Sequence, residues 1–208
     1  TTFGMDSTDE REKTYFTGRG RPLFIRGNNI LNCGNMGLWG HVRNDALYID
    51  NLASDNFAGG ILHDAGNHYS PAMFNVCSGN KRCGLWLELG ASHNILYGNV
   101  LKGNVGRHST GVISYCQYGG PNTNNVIAGN LIEGGHLVGI HLRNAAGNMI
   151  YNNIVRNNEI GFLSGWGDYG NNFVTQNLIN DNTEDFSQNK QMDHFAFPRL
   201  NSSTAGLR

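Results

Sequence analysis

Apolar and polar residues alternate along this chain in very short runs, and the runs recur. In "GGHLVGIHLRN" (134–144), Ile140 and Leu142 take buried-type positions and turn His141 and Arg143 to the opposite side, the period-two pattern of a strand. The same pattern returns at "GLWGH" (37–41), "GILHD" (60–64), "GLWLE" (84–88), "GVISY" (111–115) and "GFLSG" (161–165). Before these strands run segments built on Asn, such as "NILYGNVLKGN" (94–104), "NVIAGNLIEGG" (125–135), "NMIYNNIVRNN" (148–158) and "NFVTQNLINDN" (172–182). Anchored on the middle Asn, the frame passes through Asn51, Asn75, Asn99, Asn130, Asn153 and Asn177, with Asn29 a poorer fit. The spacings are 22, 24, 24, 31, 23 and 24. In a seventh copy the alternating strand is reduced to Phe186.

Each unit offers three short strands and three turns, with no helical stretch. A unit of that size cannot bury its own apolar face and must stack on its neighbours. A parallel β-helix satisfies this, one unit per rung, with rungs spaced about 4.8 Å apart. Aligned Asn side chains can then hydrogen-bond along the stack and satisfy amides that would otherwise be buried alone. The fixed Leu lattice of leucine-rich repeats is absent. The expectation is an all-β chain, a single-stranded right-handed parallel β-helix of about seven rungs over 27–187.

Residues 1–26 lie outside the repeat. They include a Ser-x-x-Glu capping box at Ser7 and Glu10, which predicts a short helix covering one end of the stack. Residues 188–208 form a C-terminal tail or cap.

The pattern N-x-I-x-x-N-x-I-x-x-N followed by G-I-x-L resembles the repeat of the pectin-lyase-like superfamily, which includes carbohydrate-binding and sugar-hydrolysis repeat proteins. That resemblance implies right-handed coiling and a substrate groove lined by the G-I-x-L sheet. On that sheet, period two sends Leu38, Ile61, Leu85, Val112, Ile140 and Phe162 inward, with His63 a satisfied core histidine. Two columns face outward: Trp39, Leu62, Trp86, Ile113, His141 and Leu163, then His41, Asp64, Glu88, Tyr115, Arg143 and Gly165. In the other two strands, adjacent apolar pairs such as Val100-Leu101 leave the facing open.

The outward columns carry the candidate chemistry. Trp39 and Trp86 suit stacking on sugar rings. Asp64 and Glu88 on neighbouring rungs could serve as a carboxylate pair, or hold Ca²⁺ through oxygen ligands. Tyr115, His141 and Arg143 have the residue types for uronate β-elimination or C5 epimerisation. In that scheme Arg143 neutralises the substrate carboxylate, and Tyr115 or His141 removes the C5 proton. His41, His108 and His136 are candidate substrate-binding residues, and His68, Tyr69, Trp166 and Asp168 are further loop residues. The Asp-Pro-His-Asp motif of alginate epimerases is absent. So are the paired aspartates of polygalacturonases and the R-x-x-P-x-x-R pattern of pectate lyases, so no functional residue is carried over from those families.

Composition narrows the partners. Charged residues make up 15% of the chain and the formal net charge is −1, which gives no electrostatic case for nucleic acid or an anionic membrane. No apolar run reaches the roughly 18 residues of a membrane span. The chain opens on TTFG and reads as a processed product. Cys33, Cys77, Cys83 and Cys116 are compatible with an oxidising compartment, with a Cys77–Cys83 loop and free thiols both open. The readings are a secreted or cell-surface enzyme on an acidic polysaccharide, most simply a lyase or epimerase with hydrolase subsidiary, a glycan-binding module of tailspike or adhesin type, or a structural scaffold. A homo-oligomer could complete the groove.

Overall fold

The computed structural model describes residues 23–41, 45–106, 109–115, 120–165 and 171–188. Every strand pairs in parallel with the equivalent strand of the next coil, giving three seven-stranded parallel sheets and one short two-stranded pair. The first sheet runs from Leu23–Arg26 to Phe173–Thr175, the second from Asn29–Leu31 to Leu178–Asn180, and the third from Leu38–His41 to Glu184–Gln188. Among the described residues there is no helix. Strand pairing starts at Leu23, opposite Ala46, four residues ahead of the boundary the repeat suggested. The last coil keeps a full third-sheet strand around Phe186, which lies opposite Phe162. The expected cap helix at Ser7 and Glu10 lies outside the described residues.

The turns explain the wealth of Gly and Asn. Between first-sheet and second-sheet strands, a residue in each coil swings the chain round with positive φ: Gly27, Asp50, Phe74, Gly98, Gly129, Asn152 and Gln176. Gly and Asn adopt that conformation at least cost.

Inside each turn runs an Asn ladder. Asn99 shows the unit: its Oδ1 accepts from Asn75 N at 2.9 Å and Asn75 Nδ2 at 3.0 Å. It donates through N and Nδ2 to Asn130 Oδ1 at 2.9 and 3.0 Å, and through Nδ2 to Ala72 O at 2.8 Å. The ladder runs from Asn28 through Asn51, Asn75, Asn99, Asn130 and Asn153 to Asn177. Its first member is Asn28, which is why Asn29 fitted the frame poorly. Two further ladders occupy the other turns: Asn94, Asn125, Asn148 and Asn172, and a broken series, Asn56, Asn80 and Asn104, then Asn158 and Asn182.

The break in that last series falls at His136. Its ring nitrogens lie 3.2 Å from Asn104 O and 3.1 Å from Leu101 O, so it does not reach the next rung. Asn158 Oδ1 is consequently buried without a hydrogen-bond partner among the described residues.

One core cluster fills the coil, with Ile61, Leu85, Leu96, Leu101, Val112, Ile127, Ile132, Ile140, Ile150 and Val155 at or near zero exposure. Leu101 rather than Val100 is therefore the inward member of that pair. The glycine before each third-sheet strand has a steric cause. A Cβ at Gly84 would stand 2.8 Å from Gly111 O, and one at Gly111 would stand 2.7 Å from Gly139 O, so this column admits only hydrogen. Outside, the first sheet carries exposed apolar residues, among them Phe24, Ile95, Tyr97, Met149 and Phe173.

Candidate functional site

The third sheet places the expected columns in register. Trp39 lies opposite Leu62, Leu62 opposite Trp86, Trp86 opposite Ile113, Ile113 opposite His141, and His141 opposite Leu163. In the second column His41 lies opposite Asp64, Glu88 opposite Tyr115, and Tyr115 opposite Arg143. Residues more than a hundred positions apart thus share one outer edge of one sheet.

Facing outward does not leave the first column open. Leu62, Ile113, His141 and Leu163 are 0–3% exposed. Trp86, at 7%, packs in a second apolar cluster with Met36, Ala58, Leu62, Cys83, Ile113 and Tyr115, and Trp39 leans against it half-buried. Trp86 is therefore not an open stacking platform, which corrects the sequence expectation. His141 sits in the same buried column, where burial and then the Arg143 charge push its pKa down to about 3. It is a neutral, packed side chain rather than a solvent-facing base.

The second column keeps its polar character. Trp39 Nε1 donates to Asp64 Oδ2 at 2.9 Å, and His41 Nδ1 lies 3.0 Å from the same oxygen. Asp64 is buried, and its Oδ1 has no hydrogen-bond partner among the described residues. Burial, and secondarily the charge of Asp64, push the Glu88 pKa up to about 8. Glu88 therefore carries its proton at neutral pH while its side chain stays half-exposed. Tyr115 is buried, and the Arg143 guanidinium carbon lies over its ring at 4.8 Å from the centroid. That cation–π contact fixes a half-exposed guanidinium at the end of the row.

Other candidates fall elsewhere. His136 is the buried interruption of the Asn ladder, beside a groove of about 870 Å³ whose lining includes Ser109, Glu159 and Asp181. His63 is a core residue as expected, with Nδ1 3.3 Å from Asn67 Oδ1, but its Nε2 has no hydrogen-bond partner among the described residues. His108, Trp166, Asp168 and Cys116 lie outside the described residues. Cys77 and Cys83 are free thiols, not a closed loop. Sequence reasoning missed His93, which shares a turn with His68. Superposing "HYS" (68–70) on "SHN" (92–94) through the ladder would have found it.

The fold is shared with solved proteins. Two variants of the periplasmic alginate epimerase AlgG match at TM-scores of 0.58 and 0.63, with 22% and 19% identity. They cover 72% and 76% of this chain and 34% and 36% of theirs. Another structure of AlgG matches at 0.54 and 19% identity, covering 76% of this chain and 42% of that one. This chain therefore spans well under half of each of those proteins, and at such identity the likeness establishes the fold alone. No curated protein matches the sequence. A family match is far more extensive, covering residues 9–197. The chain belongs to the NosD family, described as periplasmic copper-binding protein, a right-handed β-helix family of the pectin-lyase-like superfamily.

Proposed function

We propose that the second column of the third sheet acts on an acidic, uronate-containing polysaccharide, as a C5-epimerase or lyase. The observation that carries the reading is Glu88: a carboxyl holding its proton at neutral pH, beside Asp64 and in register with Tyr115 and Arg143. Such chemistry needs a base, an acid and a grip that holds the anionic polymer in place. Arg143, steadied on Tyr115, supplies the grip on the carboxylate of a neighbouring unit, with a planar fork suited to it. His41, oriented by Asp64 Oδ2, supplies the base. Glu88 supplies the proton for the leaving oxygen or the opposite ring face. The shared fold with alginate epimerases supports this reading. The word periplasmic in both the family description and those structures supports a place outside the cytoplasm.

The family description also names copper. The described residues do not fit a closed copper site, since no three His, Cys, Asp or Glu side chains converge among them. Burial raises the pKa of both Cys77 and Cys83, that of Cys83 to about 12, so neither offers a thiolate. No step of the proposed chemistry uses a metal.

The test is turnover of alginate, pectin and glycosaminoglycans, read as ultraviolet absorbance of unsaturated products and as C5 configuration by proton NMR. As a general acid, Glu88 works below its pKa, so activity should fall as pH rises through about 8. Glu88→Gln should lose at least a hundredfold in kcat. Asp64→Asn removes the neighbouring charge and should move the alkaline limb to lower pH. Full activity in Glu88→Gln, or no product from any of these polymers, would remove the proposal.

A further inference from the structure

On a different sheet from the carboxylate row, the outward face of the first sheet is apolar along almost its whole length. One outward column opens with Phe24 opposite Leu47 and closes with Ile95, Val126, Met149 and Phe173 in register on successive coils. The other aligns Ile49, Met73, Tyr97, Ala128 and Tyr151. Among the described residues the one charge in either column is Arg26, on the first coil, and its Nε lies 3.3 Å from Asp50 Oδ2. The second sheet shows what a solvated face of this coil looks like. There Lys102, Glu133 and Arg156 align on successive coils and pair at 3.4 and 2.9 Å.

The apolar face is large enough to need a cover. Phe24, Phe74, Tyr97 and Phe173 are 69%, 50%, 44% and 57% exposed. At roughly 150–250 Å² for a whole aromatic side chain, these four leave about 330–550 Å² of side chain in water. That alone matches the roughly 300–600 Å² of the largest apolar patch on a typical monomer. Phe74, at the turn, extends the face by meeting the Tyr97 ring edge-on at 5.7 Å. The exposed Ile95 and Met149, with half-buried Leu47, Ile49, Met73 and Val126, carry the area toward the roughly 800 Å² that each partner buries in a standard interface.

The layout is also self-complementary. Of the seven strands in this sheet, Ile95–Tyr97 is the middle one. A phenylalanine closes the first column at either end, with aliphatic side chains between. A two-fold axis through the middle strand sets Phe24 of each copy over Phe173 of the other, and Ile95 and Tyr97 beside their own counterparts. That is the isologous pattern of a C2 dimer, and two sheet faces pack in this way about 10 Å apart with side chains interleaved. We propose that two copies of this chain associate face to face through their first sheets, antiparallel along the coil axis. The third-sheet row belongs to a separate sheet, so the dimer and the uronate reading can each fail without the other.

Size exclusion with light scattering, followed by sedimentation equilibrium, tests this on the purified chain. The expected result is a mass of two chains at micromolar concentration. Ile95→Lys sets two ammonium groups together at the axis and should weaken association about a hundredfold or more, with an unchanged circular dichroism spectrum showing that the coil persists. Phe24→Lys and Phe173→Glu each press a charge onto an apolar ring and should each weaken it about tenfold. Combined in one chain, these two substitutions face each other across the interface and should recover most of the affinity. Within a chain they stand six coil steps apart, about 29 Å, too far to pair. A chain that stays monomeric at about 100 µM overturns the proposal. So does a dimer that Ile95→Lys leaves intact, which puts the contact on another face. A double variant no tighter than either single one overturns the antiparallel pairing.

Discussion

Replacing Asn99 by Ala tests whether the ladder holds the stack together. Asn99 sits mid-ladder, fully buried, with five hydrogen bonds to its neighbours. Alanine keeps only the backbone N–H that donates to Asn130 Oδ1. Asn75 N loses its acceptor and is left buried without this partner, while Asn75 Nδ2 retains Tyr48 O. An orphaned buried donor costs about 1–3 kcal/mol, and each of the other lost bonds about 1 kcal/mol net. Together these give a loss of about 4–6 kcal/mol, or a fall in Tm of about 8–24 °C for a domain of this size. Asn99→Asp sharpens the test. It keeps the acceptor for Asn75 but turns an oxygen toward Asn130 Oδ1 and Ala72 O, so at pH 7 it should be worse than Ala. Lowering the pH protonates the carboxyl, restores a donor and should narrow that gap. Equilibrium urea unfolding with a fixed m-value measures all three. If Asn99→Ala stays within about 1 kcal/mol of wild type, the ladder is a geometric accompaniment of the coil and not its support.

Other perturbations probe the same accounting. His136→Asn should mend the broken ladder by giving Asn158 Oδ1 its donors, raising stability by about 1 kcal/mol and Tm by about 3 °C in calorimetry. A lower Tm would mean that the imidazole packing and its contacts to Leu101 O and Asn104 O matter more. His63 is buried with its pKa pushed down from 6.5 to about 4, so the unfolded chain takes up a proton in that window and the folded chain does not. Stability is therefore full above pH 6.5 and falls as pH drops toward 4, by about 3 kcal/mol at 1.36 kcal/mol per unit. His63→Leu should flatten this limb in urea titrations at pH 4–7, whereas an unchanged slope would assign the acid sensitivity to other groups.

The architecture was legible because stacking forces the sequence to repeat. Each coil needs a turn residue that accepts positive φ, an Asn to carry the ladder, and a glycine where the next coil's carbonyl leaves no room. These requirements recur at a fixed interval and survive inspection of one sequence. Register followed from the same interval, and the columns from Trp39 to Leu163 and from His41 to Arg143 formed as read. Exposure was not legible. Period two says which side of a sheet Trp86 and His141 occupy, but whether that side is covered depends on packing that alternation does not encode. Asn28 rather than Asn29 carries the ladder, a distinction the repeat frame does not make where two Asn adjoin. His136 drew attention as a polar loop residue, when its position marks it as a ladder substitute.

Register also constrains what kind of molecule the carboxylate row can engage. From His41 through Asp64, Glu88 and Tyr115 to Arg143 the column climbs one coil at a time, four steps of about 4.8 Å each. A single sugar ring cannot touch both ends of a row that long. An extended polymer can, because its successive units carry it along the row. In the proposed reading Arg143 would anchor the carboxylate of one unit while His41 and Glu88, further along the row, flank another. That division suits a polyuronate, in which every unit carries the same carboxylate. Holding one unit fixed through Arg143 positions another over the acid. The same geometry explains how chemistry can reside on so regular a scaffold. The coil supplies spacing and rigidity from residues that repeat, and specificity enters through the few outward positions that do not.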